Sequence, residues 1–381
     1  MSTTPLRPDD IVRRASAIGT YYGFTALSKA TAANRGSGAR GPYPAGLALD
    51  TLDASAREVV GLLKNVRDAG LTPTAAQPLF LWHTNAAAGR PAPKQIIIQF
   101  HALGAEHAIA DAVLIRAVRS LIMDLSKADV SIRLNSMGDK ETRARFAREL
   151  TTFFRKNGAT LPADSVACAK RDVFEAAEVL VANDPEGLPS PTDHLSEASR
   201  KHFESVLEYL ESTDTPYELA PDLLSRGSAW SDICFEIKDP DNRMHAWGSR
   251  YTELSRHFFK NPPTSIGAVI RITTDNRDEV LPMKDKAGPR FVFVHIGDEA
   301  KRESMKMADD LRRAKIPLAQ SIGIQSLTEQ MRFVEILNPP YVLIMGRKEA
   351  LERSVILRER STHTETFIPL DSLIDSLKLV V

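Results

Sequence analysis

Residues Tyr217–Leu254 read YELAPDLLSRGSAWSDICFEIKDPDNRMHAWGSRYTEL. The stretch predicts a strand of the kind that crosses an active site, then a glycine-bearing turn at Gly248 and a helix. The chain around it is long enough for two or more domains: 381 residues, of which 43% are apolar, suffice for ordinary packed cores.

The 49 basic and 49 acidic residues cancel. That balance argues against a purely electrostatic, nonspecific binder and leaves a local basic patch open. Cys168 and Cys234 are spaced for neither a zinc site nor a disulfide framework, and read as structural thiols in a reducing compartment. No apolar run reaches the roughly 18 residues of a membrane span. The opening MSTTPLRPDDIVRR has no apolar signal core. A soluble cytoplasmic protein with no membrane partner is expected.

Upstream of the opening stretch, Pro8–Phe24 predicts a helix, with Ile11, Val12, Ala15, Ile18 and Tyr22 at three-to-four spacing. Residues 29–44, KATAANRGSGARGPYP, read as a loop. A helix follows from about Ala54 to Ala69, with Gly70 just past its end. Strands at Pro78–His83 and Gln95–Leu103 flank the turn-rich HTNAAAGRPAP and form an antiparallel hairpin with a long tip. Next come a helix at Ile109–Lys127, a strand at Val130–Asn135, an amphipathic helix at Lys140–Asn157 and a helix starting at Ser196–Glu197. Downstream, Thr264–Thr273 reads as a buried strand and NRDEVLPMKDKAGP as the linker between domains. From Arg290 the strands FVFVHIG, LAQSIG and YVLIMG alternate with helices at Asp298–Ala314 and Ser326–Leu337, before two short strands and a last helix. That alternation predicts a small α/β domain with a mainly parallel sheet.

Two further segments carry a resemblance. Phe100–Phe154 contains Phe100, His101, Gly104 and Glu106 at the end of one strand, then Asn135, Ser136, Gly138 and Asp139 at the end of another, each leading into a helix. Gly323–Gly346 reads GIQSLTEQMRFVEILNPPYVLIMG. In this order they resemble the core and the anticodon-binding domain of histidyl-tRNA synthetases, over nearly the whole chain. The resemblance implies an α+β class II aminoacyl-tRNA synthetase core, an antiparallel sheet flanked by helices, over residues 1–285 with a helical insertion at about 158–212. It further implies a C-terminal α/β anticodon-binding-like domain over residues 289–381.

The family joins histidine to the α-phosphate of ATP, and the developing charge there needs fixed cations, for which arginine's planar fork is suited. The resemblance implies one such arginine in the first hairpin strand. That strand reads LFLWHTN here, and the nearest arginine, Arg90, lies at the hairpin tip. A second arginine is implied at the end of the last core strand, where GAVIRITT places Thr274; Arg271, three residues earlier, faces the other side. The turn whose glutamate holds the substrate amine aligns with Leu49–Ser55, so Leu52 stands in its place, with Asp50 or Asp53 as substitutes. Ala102 replaces a pocket glutamine, whereas Glu106 is kept. In the opening stretch the substrate-contacting arginine is kept as Arg226, but Ala229, Trp230 and Ser231 replace the residues that shape the imidazole pocket. Arg250 and Tyr251 survive from a glycine-bearing turn that has lost its aspartate. Structural roles compete at each: an ion pair for Arg226, a helix cap for Glu106, and support of the turn for Arg250 and Tyr251. His83, His101 and His107 lack metal-site spacing, and no metal is expected. Losing one polar contact to a charged transition state costs about 3–4 kcal/mol, roughly 100- to 1,000-fold, so family chemistry is expected at background.

Three functions compete. The first is a synthetase-like paralogue that binds tRNA, another RNA or a protein partner and no longer activates histidine. The second is a working histidine–tRNA ligase, with ATP and Mg, in which Arg90, Arg226, Arg271 and Asp50 form a rearranged site. The third is a regulatory subunit, like the synthetase-like partner of ATP phosphoribosyltransferase, although those relatives normally lack the anticodon domain. Candidate RNA contacts are Arg302, Arg312, Arg313, Gln325 and Arg332, with Arg90 as a second basic patch; the alternative for the arginines is an ordinary solvated helix face. The family association implies a homodimer.

Overall fold

The computed structural model describes residues 6–33, 41–181, 187–224, 229–274, 278–281 and 288–380. Two sheets organise them. The first is built from β1 (Thr25–Ala26), β2 (Leu79–Thr84), β3 (Gln95–Leu103), β4 (Ile132–Ser136), β5 (Tyr217–Leu219), β6 (Ser231–Lys238), β7 (Met244–Arg250) and β8 (Ser265–Thr273). Their order is β1-β2-β3-β8-β7-β6-β4-β5. The five inner pairings are antiparallel, and only the short outer strands β1 and β5 pair in parallel. The second sheet comprises β9 (Phe291–His295), β10 (Leu318–Gln320), β11 (Tyr341–Met345), β12 (Ser354–Glu359) and β13 (Glu365–Pro369), in the order β10-β9-β11-β12-β13. Its β10-β9-β11 half is parallel and its β11-β12-β13 half antiparallel.

Helices α1 (Pro8–Tyr21), α2 (Leu27–Ala33), α3 (Ala54–Asp68), α4 (Ala108–Ser126), α5 (Lys140–Asn157), α6 (Ala163–Ala169), α7 (Val173–Val181), α8 (Glu197–Glu211) and the single turn α9 (Thr252–Ser255) serve the first sheet. Helices α10 (Asp298–Arg313), α11 (Leu327–Leu337), α12 (Arg347–Leu351) and α13 (Leu373–Val380) serve the second. The helices expected at Pro8, Ala54 and Lys140 all start there, and the last two are each capped by an aspartate side chain, Asp53 and Asp139. Most of the expected linker at residues 276–289 lies outside the described residues, as does the junction between the two expected domains.

Strand alternation gives the first sheet two different faces. Ile96, Ile98, Phe100 and Ala102 of β3, Ile266, Ala268, Ile270 and Ile272 of β8, and Met244 and Ala246 of β7 form one face. They pack under α1, α4 and α8. Helix α4 is buried nearly all round, as expected of a helix with apolar residues on every side. The opposite face carries α3, which packs Val59, Val60, Leu63 and Val66 against Leu81, Leu103 and Tyr251.

The opening stretch is richer in strand than its sequence suggested. It forms β5, β6 and β7, and Gly248 sits inside β7, hydrogen-bonded through β6 and β8 on both sides. A Cβ there would run into the Phe235 ring. The glycine therefore permits close packing within a strand and makes no turn.

The second sheet is docked firmly onto the first. The Tyr21 hydroxyl donates to the Ala308 carbonyl at 2.5 Å and accepts from Gln320 Nε2 at 2.9 Å. Arg116, 3% exposed, donates to the Met305 carbonyl at 2.6 Å and pairs with Asp309 at 3.2 Å.

Candidate functional site

The polar groups of the α3 face fall into neighbouring sets along one side of the sheet. The first starts where Trp230 enters β6. The β6–β7 register shifts between Ser231 and Cys234, and Asp232 in that bulge has φ 50°, a left-handed conformation that aspartate tolerates better than most residues. The bulge turns Trp230 onto the α3 side. Its indole is 2% exposed, edge-on to Trp247 (centroids 6.5 Å) and to Tyr251 (6.4 Å). The indole N–H donates to Asp53 Oδ2 at 2.7 Å. The other oxygen of Asp53 caps α3 by accepting from the backbone of Ser55 and Ala56.

Behind Trp230 runs a relay. Gln99 Nε2 lies 3.1 Å from Glu58 Oε2, and a carboxylate only accepts, so the Gln99 amide presents its NH2 to Glu58 and its oxygen to His101 Nε2 at 3.0 Å. His101 Nε2 must therefore carry the proton. Its Nδ1 is left to accept from the Tyr251 hydroxyl at 2.8 Å. Burial, reinforced by His83, holds the His101 imidazole down at about 3, so it is neutral near pH 7. Burial pushes the Tyr251 phenol well above its ordinary value. Gly267 makes room for the pair, because a Cβ there would overlap both the His101 ring and Tyr251.

Between α3 and the small apolar cluster around Cys234, the sheet floor carries His245 and Trp247 of β7, Glu236 of β6 and Arg271 of β8. Glu236 is fully compensated: His245 at 2.9 Å and then Lys238 at 2.8 Å bring its carboxyl down to about 2, and Arg133 also pairs with it at 3.1 Å. Arg271 is different. It is half-buried and donates to Ser55 Oγ at 3.0 Å; Glu58 and Asp53 act on it only at longer range. Among the described residues, no carboxylate reaches it within ion-pair distance.

Of the expected pocket residues, Trp230, Tyr251 and Arg271 therefore share the α3 face. Ala102 does not; it lies on the opposite face, fully buried between Phe80 and Ile266. Arg250 is on that opposite face as well, where it forms a two-pronged pair with Asp111 of α4 (2.8 and 2.5 Å) and donates to the Ala105 carbonyl. Burial alone would raise the Asp111 carboxyl; Arg250, with His202 3.2 Å away, brings it to about 2. Thr274 is buried and donates to the Leu6 carbonyl. Asp50 is exposed on the turn Leu49–Thr51, Arg90 is exposed at the hairpin tip, and Arg226 lies outside the described residues. Glu58, Gln99 and Trp247 were not singled out from sequence. The polar residues two apart in QIIIQFHAL, Gln99 and His101, were the available signal.

The anticodon binding domain family matches residues 280–379. Histidine–tRNA ligase of Geobacillus sp. (strain WCH70) is 26% identical over 294 residues, 74% of this chain and 70% of that protein. The ligase of Fervidobacterium nodosum is 27% identical over 276 residues, 68% of this chain and 64% of that protein. Over about two thirds to three quarters of its length the chain is therefore similar to histidine–tRNA ligases. The crystal structure of apo S. aureus histidyl-tRNA synthetase aligns over 99% of this chain and 98% of its own, at 18% identity and a TM-score of 0.47.

Within this synthetase-like frame, the expected RNA contacts of the C-terminal domain divide into two groups. Arg312 pairs with Asp124 of α4 at 2.8 Å, and Arg302 reaches Glu208 of α8 at 3.4 Å and lies over the Tyr209 ring. Both join the C-terminal domain to the core. Arg313 and Arg332 are exposed, and among the described residues their partners lie on their own helices: Asp310 and the Asp309 carbonyl for Arg313, Glu329 for Arg332. Gln325 accepts from the buried Lys301 ammonium at 2.7 Å, and burial lowers that lysine to about 8. Gln325 and Glu106 line one small cleft between the core and the C-terminal domain.

Proposed function

We propose that this synthetase-like chain binds tRNA or another RNA through its C-terminal domain and does not activate histidine in the family's usual way. The observation that carries the second half is the α3 face. Trp230 packs there against α3, Trp247 and Tyr251, while β2 (LFLWHT) offers no arginine and Thr274 is buried elsewhere. Without positioned cations, charge developing on a transferred phosphate is not stabilised. The anticodon binding match supports the first half, with Arg313, Arg332 and Arg347 as exposed cations. A cytoplasmic homodimer is part of the proposal; no described helix is long and apolar enough to cross a membrane.

The test is ATP–pyrophosphate exchange with histidine on the purified protein, beside sequencing of co-purified RNA. No histidine-dependent exchange and an enriched RNA are expected. Saturable exchange would instead establish an active ligase, with Arg271 as the first residue to replace. RNA affinity should fall steeply with salt, and a flat response excludes phosphate contacts.

A further inference from the structure

We propose that His295 is the pivot of a conformational coupling: a buried chain of hydrogen bonds sets its tautomer from the core, and through it the seat of α11 depends on the docking of α1. The chain runs Tyr21, Gln320, Ser304, His295, Ser321, Gln330, each 5% exposed or less. Its direction can be read from one end. The Tyr21 hydroxyl spends its proton on the Ala308 carbonyl, so its oxygen accepts from Gln320 Nε2. The Gln320 amide therefore turns its Oε1 toward Ser304 Oγ, 3.5 Å away. The single proton of Ser304 goes to that oxygen, and Ser304 accepts from His295 Nε2 at 2.6 Å. His295 is thereby the Nε2–H tautomer, with Nδ1 left facing Ser321 Oγ at 3.4 Å. Burial, with the Lys301 ammonium nearby, holds the imidazole well below its ordinary value, so the neutral ring has two states, its two tautomers.

The other end of the chain holds α11. Strand β10 ends opposite Phe293, one residue short of pairing with His295. The Gln330 side chain takes the missing place. Its Oε1 accepts from the His295 amide and its Nε2 donates to the His295 carbonyl, both at 2.8 Å. Ser321 Oγ lies 2.6 Å from the same Oε1. Of the 11 residues of α11, Gln330 and Val334 are the buried ones, so these bonds are a large share of what seats the helix. In the other tautomer Nδ1 becomes the donor, and closing its gap to Ser321 draws that hydroxyl away from Gln330. Two tautomers thus give a two-state element that α1 biases from one side and α11 from the other. The coupling stands apart from RNA binding, and either can fail alone.

The test is NMR of the His295 ring nitrogens in the full chain, with amide exchange measured alongside, in the native protein and in Tyr21→Phe. The native ring should carry its proton on Nε2. Tyr21→Phe keeps the aromatic packing and removes the hydroxyl. It should shift the ring toward Nδ1–H and speed exchange in α11 at least about five-fold, with α3 unchanged. Ser304→Ala cuts the chain in the middle and should give the same shift; it decides alone if Tyr21→Phe does not fold. A native Nδ1–H ring, a folded variant that moves neither the tautomer nor α11, or loosening of α3 as large as that of α11 would each overturn the coupling.

Discussion

The two faces of the first sheet have opposite characters. On the α4 face the strands contribute mainly apolar side chains, and the ion pair at its edge, Asp111–Arg250, is buried and matched in both hydrogen bonds and charge. On the α3 face, apolar packing is interrupted by Asp53, Glu58, Gln99, His101, Glu236 and Arg271, some satisfied and some only half so. The same strands make both faces, so backbone geometry cannot account for the difference. The α4 face is scaffold, and its buried Asp111–Arg250 pair is closed on itself. The α3 face keeps polar groups at a density that a core does not need.

Removing one partner on the scaffold face should have the largest effect. Asp111→Ala leaves the Arg250 guanidinium buried and unpaired, and should cost about 3–5 kcal/mol in urea unfolding. Asp111→Leu with Arg250→Met should recover most of that loss; a double variant as unstable as the single would mean the pair has a role beyond charge matching. On the α3 face, Gly267→Ala forces a methyl into the His101–Tyr251 contact and should cost about 1–3 kcal/mol. Combining it with His101→Ala should be less than additive, and strict additivity would place the strain elsewhere.

The faces also titrate differently. His101 stays neutral in the fold down to about pH 3, whereas an unfolded histidine takes its proton near 6.5. Between those values the unfolded chain binds more protons, so His101 makes stability fall as pH drops, at up to about 1.4 kcal/mol per pH unit. Asp111 acts only below the ordinary aspartate value of about 3.9, as pH falls through its folded value of about 2. Unfolding of His101→Leu followed from pH 7 down to about pH 2 should lose the upper window and keep the lower. The smallest effect belongs to neither face: Arg332→Glu should leave stability within about 0.5 kcal/mol while weakening RNA binding and flattening its salt dependence.

Much of this was legible from residues alone. Hairpin β2–β3, helices α1, α3, α4 and α5, and the α/β alternation after Arg290 follow from spacing and turn residues, because amphipathic periods and caps are local signals. Three things were not local. The β6 bulge that redirects Trp230 depends on a left-handed Asp232 held by Gly138 and Met137, almost a hundred residues away in sequence. Gly248 reads as a turn glycine until the Phe235 ring is seen above it. Arg302 and Arg312 look like a solvated helix face, but acceptors on α8 and α4 claim them. Ala102 and Arg250 were grouped with Trp230 through the family pattern, while alternation along β3 and β7 sends them to the other face.

The docking of α10 onto α1 and α4 reaches further than geometry. Phe291, Phe293 and Met305 belong to the same continuous apolar core as Ile11, Ile109 and Ile270. A chain joined in this way is expected to melt as one cooperative unit, and cutting it near residue 288 would bare that shared core to water. Whatever binds the folded C-terminal domain must therefore raise the melting temperature of the entire chain, the distant α3 face included.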